Sequence, residues 1–101
     1  MGFWNLKTLK LEEFRPGIYS RVEAGKNLAM AYMEIPPHNE GNAHRHPFDQ
    51  CGIVMEGEIE ISIGEEKKVL KTMETYFIPA GENHNWKTNA QPAKIVDVTV
   101  K

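Results

Sequence analysis

Glu58-Ile59-Glu60-Ile61-Ser62-Ile63 alternates charged or polar residues with isoleucine at every second position. Successive side chains of a strand point to opposite faces, so this run predicts a strand with one wet face and one buried face. Outward from it, Gln50 to Glu56 reads as a strand upstream, with Gly57 expected to allow a sharp reversal between the two runs. Leu28 to Ile35, Thr75 to Ile78 and the β-branched Ile95 to Val100 are further candidates. Turn signals punctuate them at Pro16-Gly17, Gly25-Lys26-Asn27, Pro36-Pro37, Gly64-Glu65-Glu66 and Pro79-Ala80-Gly81. Apolar residues nowhere recur at helical spacing for ten positions. Many short strands with frequent turns predict an all-β sandwich or barrel.

The 101 residues suffice for one domain. Apolar residues at 41% and charged residues at 26% are ordinary globular usage. Twelve basic and fourteen acidic residues leave a net charge of −2, and no Lys or Arg stripe forms a nucleic-acid footprint. Cys51 is the single cysteine, which excludes an intrachain disulfide, and its apolar neighbours predict a buried thiol. With neither a cleavage signature nor a membrane-length apolar stretch, the expectation is a cytoplasmic protein without membrane contact. Residues 1–15 carry Phe3, Trp4, Leu6, Leu9, Leu11 and Phe14, too apolar for a free tail. They are expected to form a strand or arm that covers the edge of the barrel built by residues 16–101, or that completes a neighbouring subunit in a homodimer.

Three of the four histidines fall in two short motifs. In His44-Arg45-His46-Pro47-Phe48-Asp49-Gln50 the first two imidazoles are two residues apart and share a strand face; Gln50 has the same parity. In Pro79-Ala80-Gly81-Glu82-Asn83-His84 a histidine follows a tight turn. If the strands carrying these motifs are neighbours, three nitrogens and an amide oxygen can meet at one point, a donor set suited to a divalent transition metal. His38, beside Pro36-Pro37, reads as an ordinary surface or core histidine. Arg45, between two inward histidines, should point outward, and Glu82 should be exposed at its turn.

The run His44-x-His46-x3-Gln50-x6-Gly57, followed by Pro79-x-Gly81-x2-His84, resembles the two motifs of the cupin superfamily over residues 17–100. The resemblance implies a double-stranded β-helix, the jelly-roll barrel, with one divalent metal ion (Zn, Ni, Mn or Fe) held by His44, His46, Gln50 and His84. The family's Glu is Gln50 here, its opening glycine is displaced to Gly41, Met73 replaces the second motif's glycine, and Thr88 stands where Asn is common. Four neutral ligands leave the ion its full charge, which favours Lewis-acid work.

The segment His44-Arg45-His46-Pro47-Phe48-Asp49-Gln50 is also similar to that of the KdgF-type pectin-degradation cupins, which linearise unsaturated uronates. That likeness implies a catalytic Asp in the last strand, which is Asp97 here, with Thr99 where that group has an aromatic. Two orientations of Asp97 are open to the alternation of Ile95 to Val100. Either Val96, Val98 and Val100 face the core and Asp97 faces water, or Ile95, Asp97 and Thr99 line the cavity and Asp97 serves as general acid or base. Met30, Met33, Met55, Phe77 and Trp86 are expected in the core, with ligand-pocket lining as the alternative. The functional expectation is lyase or isomerase chemistry on a small sugar acid. A module that holds a metal or small ligand without turnover, and a non-haem dioxygenase, are the alternatives.

Overall fold

A computed structural model describes residues 2–100. Met1 and Lys101, the outer ends of the two expected segments, lie outside the described residues. Eight strands follow in order: β1 (Glu12–Arg15), β2 (Ile18–Ala24), β3 (Leu28–Ile35), β4 (Gln50–Ile63), β5 (Glu66–Lys71), β6 (Thr75–Ile78), β7 (His84–Lys87) and β8 (Ala93–Val100). All pairings between them are antiparallel and no helix occurs among the described residues. The main path runs β1-β2-β3-β8-β4-β5, with β6 and β7 also on β4.

The long β4 organises this topology. Its first half pairs with β8 and β6, and its second half with β5 and β7. The strand bends from one sheet into the other at an irregularity between Val54 and Glu56, as bulges do where a sheet turns a corner. Gly57 therefore does not reverse the chain as its sequence context suggests. It lies within the bend at φ +81°, and a Cβ there would overlap the Pro92 carbonyl, 2.9 Å from its carbon. Gly57→Ala is expected to cost at least about 1–3 kcal/mol from the left-handed backbone alone. A drop in the denaturant midpoint checks it; an unchanged midpoint would show that the corner is not rigid.

The isoleucine alternation does what its period requires: Ile59 and Ile61 are buried, with Ile18, Ile35, Val54, Leu70, Ile78 and Ile95, in one core between the sheets. Met33 and Trp86 pack against that core, but Met55 and Phe77 are exposed, which corrects the expectation that they are core residues. Cys51 is half-buried on the sheet's outer side, not enclosed. Met73 has a left-handed backbone (φ 72°), which explains why glycine suits this position in the family motif.

Among the described residues of the first fifteen, only Glu12–Arg15 form a strand, at the edge of the sheet against β2. Phe3 and Phe14 stay exposed. Arg15 reaches further: it donates to the Glu40 carbonyl (3.1 Å) and lies over the Trp86 ring, 5.4 Å from its centroid. Thr88 fixes the same loop from the other side. Its buried hydroxyl donates to the Pro36 carbonyl (2.6 Å) and accepts from the Asn39 amide (3.0 Å). Thr88→Val keeps the shape but strands both partners, and a loss of about 1–3 kcal/mol is expected in chemical denaturation. A neutral result would mean that water replaces the hydroxyl.

Candidate metal centre

The two histidine motifs are joined through their backbones. His44 and His84 exchange both main-chain hydrogen bonds, at 3.0 and 2.8 Å, and the Gly81 amide donates to the His46 carbonyl at 2.8 Å. A directly opposed pair places its side chains on one face. The ring centroids of His44 and His84 are accordingly 4.2 Å apart, and those of His46 and His84 4.7 Å. One ring nitrogen from each of His44, His46 and His84 falls within a cluster no wider than 4.8 Å. His38 is not among them.

Each ring is oriented by its own Nδ1, which faces a backbone carbonyl two residues away: His44 to Asn42 (2.8 Å), His46 to Phe48 (3.0 Å) and His84 to Glu82 (3.0 Å). A carbonyl can only accept, so Nδ1 carries the proton and donates. A neutral imidazole then leaves Nε2 bare. This carbonyl-fixed tautomer is the usual support of a metal-binding histidine. The Phe48 ring adds to it, stacked on His46 at 3.9 Å. His84 is 4% exposed, its Nε2 has no partner, and burial lowers its pKa, as do the neighbouring histidines. Its neutral, ligating form is therefore favoured. His44 is exposed and opens the cluster to one side.

Gln50 completes the arrangement. Its Oε1 lies 2.9 Å from His46 Nε2, and its Nε2 donates to Asp97 Oδ2 at 2.8 Å. Two lone-pair atoms, one imidazole nitrogen and one amide oxygen, thus face each other beside an unpartnered His84 nitrogen. Such a set is favourable around a cation, and the donor types suit a divalent transition metal. The residues fit the ion that the sequence implies.

Asp97 lies inside, 9% exposed, on the face that also carries Ile95, so the orientation that places it in water is incorrect. Tyr76 donates to the same Oδ2. Burial raises the Asp97 pKa, opposed by the hydrogen bonds from Tyr76 and Gln50 and by the nearby histidines. Burial, with Asp97 beside it, pushes the Tyr76 phenol up as well. Across the sheet, Asp97 and Thr99 are paired with Ala31 and Ala29, small residues that leave room on the inner face. Arg45 and Glu82 are exposed, as expected. A buried tyrosine hydroxyl ordinarily has a local partner, and the two-residue offset from Ile78 puts Tyr76 on the inner face; that the partner is Asp97 is not legible in the sequence.

An antiparallel jelly-roll barrel with three convergent histidines defines a metal-site scaffold of the cupin kind. Residues 31–99 match the cupin domain family, and the chain belongs to it. It is 25% identical over 96 residues to the H2HPP isomerase of Bacillus subtilis, a match that covers 93% of this chain but only 40% of that protein's length. KdgF from a Halomonas species shares the fold at TM-score 0.86 and 20% identity, over 99% of this chain and 93% of that one. An RmlC-like cupin from Shewanella frigidimarina does so at TM-score 0.86 and 20% identity, over 99% and 90%. No helix among the described residues is long and apolar enough to cross a membrane.

Proposed function

We propose that this cupin holds one divalent transition metal ion through His44, His46, Gln50 and His84 and performs lyase or isomerase chemistry on a small sugar acid of the unsaturated-uronate type. The observation that carries this reading is the buried Asp97 carboxyl, bonded to the Gln50 amide beside three imidazoles with bare Nε2 atoms. When bound, the ion supplies Lewis-acid polarisation of a carbonyl or carboxylate oxygen. The chain's own residues do the rest. Gln50 and the histidines set the donor positions. Both hydrogen bonds to Asp97 fall on Oδ2, and Oδ1 is assigned the proton transfer. Its burial-raised pKa brings the carboxyl closer to the pH at which a proton carrier works well. Ala29 and Ala31 give the substrate space, and exposed His44 gives it access. The isomerase in Bacillus subtilis and the fold shared with KdgF are consistent with such chemistry.

The test is incubation of the protein, loaded in turn with Zn, Ni, Mn and Fe, with an unsaturated uronate, following loss of the conjugated double bond. Metal-dependent consumption is expected. Bound metal with no consumption under any loading would favour a second reading, a ligand-holding module. One observation supports that alternative: a groove of about 860 Å³ between β5 and β6 is lined by Ile61, Leu70, Tyr76 and Phe77 and by none of the histidines. Assembly as a homodimer, with the exposed Phe3 and Phe14 of the N-terminal segment available to a second copy, is part of the same proposal and is read from the sedimentation mass.

A further inference from the structure

We propose that Tyr76 is a positioning residue for this centre: its hydroxyl crosses β4 through a slot left by Gly52 and holds Asp97, which in turn presents the Gln50 carbonyl oxygen to the histidines. The inference rests on the metal reading above and deepens it.

Tyr76, Gly52 and Asp97 stand in one row across three strands, Tyr76 opposite Gly52 on β6–β4 and Gly52 opposite Asp97 on β4–β8. Two strand spacings separate the outer pair, about 9.5 Å. A direct bond between them requires the phenol ring to lie across the middle strand. Any side chain on that strand would block it: a Cβ at Gly52 would stand 2.5 Å from Tyr76 Cζ and 2.6 Å from the Val96 carbonyl oxygen. The glycine and the tyrosine are therefore one device.

That device ends on a carboxylate, and the carboxylate has one further partner. An ionised Asp97 can only accept. It takes the Tyr76 hydroxyl and the Gln50 Nε2–H on the same oxygen, which commits the NH2 side of Gln50 and turns Oε1 to His46 Nε2 at 2.9 Å. Without the hydroxyl, Asp97 loses half of its support, and the Gln50 amide is free to flip. Flipped, its NH2 group donates to His46 Nε2 and occupies a nitrogen that the ion needs. Phenylalanine would fill the same volume without holding the carboxylate.

The experiment is titration of the parent, Tyr76→Phe and Gly52→Ala with Co2+, recording both the dissociation constant and the visible ligand-field spectrum at saturation. Support is a dissociation constant raised about 10–100-fold in Tyr76→Phe, the range for lost support of a metal ligand, together with a changed spectrum and parent-like circular dichroism. Gly52→Ala, whose Cβ displaces the hydroxyl with tyrosine retained and also presses on the Val96 carbonyl oxygen, should change the spectrum in the same direction, and with parent-like circular dichroism it carries the test if Tyr76→Phe does not fold. Parent-like affinity and spectrum in a folded Tyr76→Phe overturn the inference while leaving the metal site standing. Failure of the parent itself to bind Co2+ overturns the metal reading instead.

Discussion

His84→Ala is expected to lower affinity for a divalent transition metal by more than about 100-fold, beyond the range typical of lost supporting contacts. His84 is the most buried of the three histidines, and its Nε2 is buried without a hydrogen-bond partner. Its backbone is paired reciprocally with His44, so alanine at this position leaves the junction of the two motifs intact. The fold should persist: the lost ring is polar, and the apolar core of Ile59, Ile61, Val54 and Ile18 does not depend on it. The measurement is calorimetric titration with Zn2+, with circular dichroism as the folding control. Parent-like affinity in the folded variant would place the ion elsewhere.

Asp97→Ala carries the second large effect, on turnover. If Asp97 moves the proton, its removal should reduce kcat by about 10²–10⁴-fold, the usual contribution of a positioned acid or base. Metal content at saturation should remain, because the three imidazoles keep their carbonyl-fixed orientation. Affinity is expected to fall at least as far as in Tyr76→Phe, about 10–100-fold, since Gln50 loses its anchor altogether. The informative pairing is kcat of uronate consumption beside metal content of the same sample. A variant that keeps both would remove Asp97 from the mechanism; one that loses both would make it a structural support.

The sequence exposes most of the fold because the period-two pattern is strong where one face is buried and the other wet. Glu58 to Ile63, Leu28 to Ile35 and Thr75 to Ile78 all lie in strands. It fails where that contrast is missing. In β5, Glu-Lys-Lys-Val-Leu-Lys, only Leu70 of six residues is buried, so no alternation marks the strand and the charged run at its start, Glu65 to Lys68, reads as solvated surface. β2 is likewise mostly uncovered, with only Ile18 of its seven residues buried. The fusion of two expected strands into β4 was hidden by Gly57, whose left-handed backbone serves a bend as readily as a reversal.

The candidate centre shows the same division. Residue type and spacing pick out His44, His46, Gln50 and His84, since convergence follows once the two motifs are neighbours. The orientation of Asp97 was not legible. On a strand with apolar residues at both parities, alternation alone cannot assign the inner face, and pairing with Ala31 and Gly52 decides it. The Tyr76 contact was still further from reach, because it depends on three strands brought into one row by the chain's topology.

The central claim is a single ion at the histidine cluster, and the most direct measurement is elemental analysis of the purified, metal-reconstituted protein beside a His44→Ala/His84→Ala double variant. The account predicts close to one divalent transition metal ion per chain in the parent and almost none in the variant, with both folded by circular dichroism. Absence of metal from the reconstituted parent, or equal metal in the two, would contradict it.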